Sequence, residues 1–313
     1  MGKVILFGEP MALLIADTTG PLEEVEHFTR ALSGAEVNVA IGLSRLGHKV
    51  EYLTRLGDDP FGHYIEATLK KNGIGTELIT YDCVYRTGIQ LKDRVEDGSD
   101  PHAPYYRKGS AASCISVKEI EELELSDVSL LHMTGIPPAL SKTSREAAFC
   151  LMERCKRKGI FITFDPNLRP ALWENKKTMR EVLNQLAAKA DVVLPGIEEC
   201  RILVGSEKKE EIADFYQGMG VHTVIIKEGA EGAFVKDGDV SWRVPGYKVK
   251  NVVDTVGAGD GFAAGVISGI LEGLDIRECV RRGNAIGAIQ VMNISDNEGL
   301  PHRKELEKFQ QSA

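Results

Sequence analysis

Positive charge is in short supply in this 313-residue chain: 38 Lys and Arg face 46 Asp and Glu, for a net charge of −8 and an isoelectric point of about 5.5. That balance argues against broad contact with a nucleic-acid backbone, and an anionic small molecule would need a local basic pocket. Long apolar runs are also missing. The most apolar stretch, residues 261–274, is rich in Gly and broken by Glu272, short of the ~18 to 20 apolar residues that span a bilayer. Near the start, Lys3 and the four-residue run Val4 to Phe7 predict a first strand, too short for a secretory h-region. Aromatics make up only 6%. The six cysteines (83, 114, 150, 155, 200 and 279) include no C-x-x-C pair and no His at zinc-ligand spacing, which predicts free thiols in a reducing cytoplasm. The seven histidines form no ligand pattern, and no low-complexity tract or internal repeat is present.

What the chain does have is an alternation. Short Val/Ile/Leu-rich runs at 4–7, 50–56, 128–133, 160–164, 192–194 and 223–226 read as strands buried on both faces. Amphipathic stretches at 36–46, 61–71, 142–158, 178–189 and 209–218 read as helices between them. Such alternation predicts βαβ crossovers and a mostly parallel sheet. Two stretches break the rhythm, roughly 11–32 and 84–108, and suit short antiparallel strands in a small β-sheet lid over one end of the sheet. The expected organisation is one domain over residues 1–313, more helical in its last third.

The most informative segment is Asp254-Thr255-Val256-Gly257-Ala258-Gly259-Asp260-Gly261-Phe262-Ala263-Ala264-Gly265. A polar turn runs through two glycines into a small-residue helix, so the amides of Gly257, Ala258, Gly259 and Asp260 can converge on an anion with the helix dipole behind them. A carboxylate in such a turn repels a phosphate, unless its task is to take a proton from a hydroxyl attacking that phosphate. Asp260 is therefore either a catalytic base or a favourable first-turn Asp. The motif is neither a Walker A loop nor a Rossmann fingerprint.

These residues carry a resemblance. Residues 254–265 resemble the C-terminal signature of the PfkB (ribokinase-like) carbohydrate kinases. Gly34-Ala35-Glu36-Val37-Asn38-Val39-Ala40, through Gly57-Asp58-Asp59-Pro60-Phe61-Gly62, resembles the N-terminal one. The resemblance covers nearly the whole chain and implies a ribokinase-like three-layer α/β/α fold with a β-lid, ATP and Mg²⁺, and a homo-oligomer such as a dimer through the lid. Within the family, Glu36-Val37-Asn38, residues 105–113 and residues 165–173 most resemble the 2-keto-3-deoxygluconate kinases; residues 165–173 alone also resemble fructokinases. The implied reaction is transfer from ATP to the 6-hydroxyl of that acid sugar. A fructokinase or other neutral-sugar kinase, and a sugar-binding protein without turnover, are the alternatives.

By that resemblance Gly34, Tyr105, Arg107, Arg169, Asp260 and Asp296 contact substrate, and Asn38 bonds sugar hydroxyls. Chemically, Arg107 offers a planar fork that matches a carboxylate; otherwise it is a solvated strand Arg. Arg169 holds substrate or transferring phosphate, or pairs with Asp165. Tyr105 serves substrate or packing, Asn38 sugar or a helix cap. Asp296 serves substrate, a monovalent cation such as K⁺, or a turn. Lys227, Gly229 and Gly232 resemble the segment lining the ATP site, with Asn284 near adenine. The family's Asn-x-x-Glu for the Mg²⁺ water network keeps its Glu as Glu199 but has Gly196 for Asn. Gln90 stands where relatives place a Tyr.

Overall fold

The computed structural model describes residues 2–95, 102–249, 251–293 and 296–312. Part of the lid segment expected at 84–108 lies outside them. The described strands are β1 (Lys3–Phe7), β2 (Met11–Thr19), β3 (Phe28–Ser33), β4 (Val50–Gly57), β5 (Ile79–Asp82), β6 (Ile89–Arg94), β7 (Tyr105–Tyr106), β8 (Val128–Thr134), β9 (Phe161–Asp165), β10 (Val192–Val193), β11 (Thr223–Lys227), β12 (Gly232–Asp237) and β13 (Val240–Pro245). Nine form one sheet in the order β13-β12-β11-β10-β9-β8-β1-β4-β5, and four form a second, β3-β2-β6-β7.

Every predicted strand and helix is present. The large sheet is parallel from β11 to β5, and its central strands β1, β8, β10 and β11 are largely apolar and buried because both faces are covered, while the edge strand β5 is partly exposed. Ile5 and Phe7 of β1 join one buried cluster, with Ala147, Leu151, Leu183 and Ala213 from the helices Lys142–Arg157, Lys176–Ala187 and Lys209–Gly218. Val4 and Leu6 join the other, with Val37, Ile65, Ala263 and Ile286 from the helices Ala35–Arg45, Pro60–Lys71, Ala258–Leu271 and Ile276–Gln290. Neighbouring side chains on one strand thus enter opposite cores, giving three layers. Each fully buried aliphatic side chain there is worth about 1.5–3 kcal/mol relative to exposure, which holds the strand ends rigid.

One expectation needs correction. The lid is not wholly antiparallel: β2 pairs parallel with β6, because the main-sheet strands β4 and β5 intervene between them along the chain. The last third is more helical, as expected, with the helices Lys209–Gly218, Ala258–Leu271, Ile276–Gln290 and Arg303–Ser312, while β12 and β13 add an antiparallel hairpin to the sheet edge. Its alternation is hidden because Gly232 and Ala233 begin β12 where a large apolar residue would signal a strand.

The Gly57 to Gly62 segment joins lid to sheet. Asp59 caps the helix Pro60–Lys71 by accepting the Phe61 and Gly62 amides, and its other oxygen accepts the Thr87 amide at 2.9 Å, just before β6. No described helix is long and apolar enough to cross a membrane.

Candidate active site

In an open parallel sheet, ligands bind beyond the carboxyl ends of the strands, where the strand order reverses. Here the order reverses between β1 and β8. The chain beyond β1 gives Glu9, β8 ends at Thr134, β9 ends at Asp165 and leads to Asn167 and Arg169, and β11 ends at Lys227. Above these ends, under the lid, lie a cleft of about 500 Å³ and a smaller inner pocket. Asp260, Gly257, Arg169, Tyr105, Gln90 and Asp296 line both.

The glycine turn forms, but one of its four expected amides is not free for an anion. Gly257 precedes the helix with φ +77°, and a Cβ there would lie 2.2 Å from the Asp296 carbonyl oxygen, so both backbone sign and space require glycine. The Ala258 amide is held by the Thr255 carbonyl at 3.3 Å. The Gly257, Gly259 and Asp260 amides have no acceptor among the described residues and sit at the positive end of a 14-residue helix.

Asp260 is poised between charge states. Asn38 donates to its Oδ2 at 2.8 Å and Asn167 to its Oδ1 at 3.4 Å. Burial, opposed by the Asn38 bond and joined by nearby Asp165, lifts its carboxyl to about 7. Asn38 stands inside its helix, not at the cap; its Oδ1 accepts from Asn297 at 3.2 Å, which aims the amide at Asp260. Asn167 reaches the site with φ +41°, steadied by its own amide on Asp165 Oδ1 at 3.1 Å.

Lys227 and Asp165 form a buried pair, Nζ to Oδ2 at 2.5 Å. The alternative pairing of Arg169 with Asp165 therefore does not occur. Arg169 is exposed at the cleft, its guanidinium donating to the Leu168 carbonyl at 2.9 Å. Burial works against the Lys227 charge, but Asp165 and Glu199 outweigh it and raise its pKa.

Glu199 caps its own helix. Its oxygens accept the Gly196 amide at 2.6 Å and the Leu168 amide at 2.7 Å, and burial raises its pKa. It edges the larger cleft. Among the described residues no group of three or more His, Cys, Asp or Glu stands ready to hold a metal ion alone. A divalent ion fits this site on the terms usual for Mg²⁺, carried by nucleotide phosphates and water with one or two carboxylates beside it.

Arg107 is not a solvated strand residue. It is 7% exposed in the inner pocket, and its Nε and terminal nitrogen both donate to Glu9 Oε2, at 2.6 and 2.5 Å. Tyr105 is half exposed, its ring 5.6 Å from the Arg107 guanidinium. Gly34 precedes the helix Ala35–Arg45 with φ +143°, and a Cβ there would approach the Glu9 carbonyl to 3.0 Å. Asp296 accepts from Ser33 at 2.9 Å and from Lys92 at 3.3 Å.

Three residues expected at the nucleotide stand apart from both cavities. Gly229 and Gly232 flank a short turn, and Asn284 spends its amide on the Val244 and Pro245 carbonyls at 3.2 and 3.1 Å, tying its helix to β13. Sequence reasoning missed Glu9 and Lys92. The signal for Glu9 was its place just past a parallel strand. For Lys92 it was the alternation with Gln90, which turns both inward from β6.

A family model described as pfkB family carbohydrate kinase matches residues 1–303. A 2-dehydro-3-deoxygluconokinase of Bacillus subtilis (strain 168) is 45% identical over 306 residues, covering 97% of this chain and 94% of its own. Another, of Thermoproteus tenax, is 33% identical over 318 residues, covering 99% and 94%. Among solved structures, the PfkB protein from Polaromonas sp. JS666 superposes with a TM-score of 0.90 at 45% identity, covering 98% of this chain and 99% of its own. A fructokinase double mutant from Vibrio cholerae O395, in fructose, ADP and potassium ion bound form, gives 0.87 at 27% identity, covering 99% and 98%.

Proposed function

The chain belongs to the pfkB family of carbohydrate kinases, and on that premise we propose that it transfers the terminal phosphate of ATP to the 6-hydroxyl of 2-keto-3-deoxygluconate (2-dehydro-3-deoxygluconate), giving the 6-phosphate. The observation that carries this reading is the Asp260 carboxylate, held by Asn38 and Asn167 at the mouth of an anion-binding turn and common to both cavities. A mere sugar binder has no use for a base there.

In the mechanism Asp260 accepts the proton of the attacking hydroxyl. The Gly257, Gly259 and Asp260 amides face the charge that develops on the transferring phosphate. Lys227, held by Asp165, adds a fixed positive charge on the cleft side of the turn, 3.8 Å from where a Gly259 side chain would begin. Glu199 would stand by the waters of a Mg²⁺ ion bound with the nucleotide, which would supply neutralisation of the phosphate oxygens. Arg107 and Arg169 line the inner pocket and are the cations offered to the substrate carboxylate, Tyr105 and Gly34 flank them, and the lid keeps competing water out.

The Glu9–Arg107 pair favours a second reading. With Glu9 already satisfying Arg107, only Arg169 offers its full charge, as a neutral-sugar kinase would tolerate. A coupled ADP-release assay over 2-keto-3-deoxygluconate, its galactonate epimer, fructose and ribose decides: preference for the acids upholds the proposal, and preference for a neutral sugar replaces it. The same proposal carries a single catalytic domain and a cytoplasmic setting, in keeping with six cysteines outside any disulfide. It also carries pairing of two chains through the lid, where Tyr106 is 64% exposed.

A further inference from the structure

Strand β6 carries a buried cation from the lid to the phosphate turn. The Lys92 ammonium lies 3.0 Å from Asp254 Oδ2 and 3.3 Å from Asp296 Oδ1, and all three side chains are nearly out of solvent. Both acidic residues touch the turn, Asp254 through its carboxylate and Asp296 through its backbone. Asp254 Oδ1 accepts the Val256 amide at 2.9 Å, and the Asp296 carbonyl is the group against which Gly257 packs. Asp296 also accepts from Ser33, which donates to Gln90 of the same lid strand at 2.8 Å. Among the described residues no other Lys, Arg or His pairs with either carboxylate.

We propose that Lys92 is a positioning residue that serves as a built-in monovalent cation: it neutralises Asp254 and Asp296 from the lid, so that the phosphate turn takes its binding form only with β6 in place, and turnover needs no added potassium. The charge arithmetic requires something of this kind. Two buried carboxylates carry −2 beside the turn that must receive a polyanion, and one ammonium reduces this to −1; without it the pair repels itself and the phosphate. Burial works against the Lys92 charge, but Asp296 and Asp254 outweigh it and raise its pKa. An ammonium is a compact charge with three donors. Two are spent on the carboxylates, which lie beside the larger cleft's edge at Lys92.

The inference rests on the kinase reading of the turn, and its test separates the two. Turnover and thermal unfolding are measured for the wild type, Lys92→Met and Lys92→Arg in potassium chloride and in choline chloride at equal ionic strength, so that screening is constant. The wild type and Lys92→Arg should turn over and unfold alike in both salts. In choline, Lys92→Met should lose on the order of ten- to hundred-fold in kcat/KM, as removal of one partner of a buried ion pair implies. Potassium should restore much of that loss and raise the unfolding temperature of Lys92→Met alone, as a cation binding only the folded state must. Near-normal turnover by Lys92→Met in choline, or a loss that potassium leaves untouched, overturns the proposal. So does a wild type that needs potassium, an arm that holds even if Lys92→Met does not fold. The unfolding arm uses no substrate, so failure of every sugar tested would sink the substrate reading without touching the cation result.

Discussion

Arg107 reaches the inner pocket already bound to Glu9, two of its nitrogens on one carboxylate oxygen at 2.6 and 2.5 Å, and both side chains are buried. The second Glu9 oxygen has no hydrogen-bond partner among the described residues. On the proposed reading an acid sugar would share Arg107 with a resident carboxylate, and Glu9 would set how much of the guanidinium the substrate receives.

Glu9→Gln should free Arg107, lowering KM for the keto-deoxy acid and leaving fructose turnover, if any, unchanged. Arg107→Ala should do the reverse and also destabilise the fold by about 3–5 kcal/mol, because it strands a buried carboxylate. Adding Glu9→Gln to Arg107→Ala should restore the unfolding temperature without restoring acid-sugar selectivity. Steady-state kinetics on both sugars and thermal melts of the four proteins check this double-mutant cycle. Equal losses on both sugars would assign Arg107 to the phosphate or the lid.

Asp260→Asn should keep the fold and nucleotide binding while kcat falls roughly 10²- to 10⁴-fold, the usual cost of removing a general base. Near-normal turnover would make Asp260 a first-turn cap and nothing more. Stability should move the other way. A carboxyl raised to about 7 in the folded protein favours folding only while protonated, so its ionisation lowers stability progressively from the unfolded carboxyl's pKa up to pH 7. The melting advantage of Asp260→Asn over wild type should accordingly be absent near pH 4 and grow until about pH 7.

The same shift fixes the acid limb of activity. With the free-enzyme base titrating at about 7, kcat/KM should fall tenfold per pH unit below that point. The pH profile of the residual activity of Asp260→Asn should lack the limb. A wild-type limb near pH 4 would mean that Asp260 ionises freely in solution.

Glu199→Gln should raise the Mg²⁺ requirement more than the sugar KM, since the proposed role lies at the metal's water shell. Glu199 is also a cap whose two oxygens hold the Gly196 and Leu168 amides, so Glu199→Ala should cost about 0.5–2 kcal/mol of stability as well. Magnesium titrations and melts of both variants separate the roles. An unchanged titration in Glu199→Gln would leave the cap as its whole contribution.

Local chemistry determined a good deal by itself. The strand and helix rhythm, the Gly257 to Asp260 turn and the Asp59 cap follow from residues within one or two turns of one another, where backbone preference and hydrophobic period are decided. The lid strands were legible for the same reason. Pairing was not: which strand lies beside β2 depends on how the main sheet closes between them, and β6 proved parallel. The site's polar contacts were further out of reach. Asn38 meets Asp260 across 222 positions, Lys92 meets Asp254 across 162, and Glu9 meets Arg107 across 98. Locally Asn38 offered a cap and Arg107 a solvated strand residue, while Lys92 and Glu9 were not singled out. Only the packed sheet, by bringing the carboxyl ends of β1, β8, β9 and β11 under one lid, turned them into partners, because a buried charge or amide must find its counterpart wherever the fold has placed it.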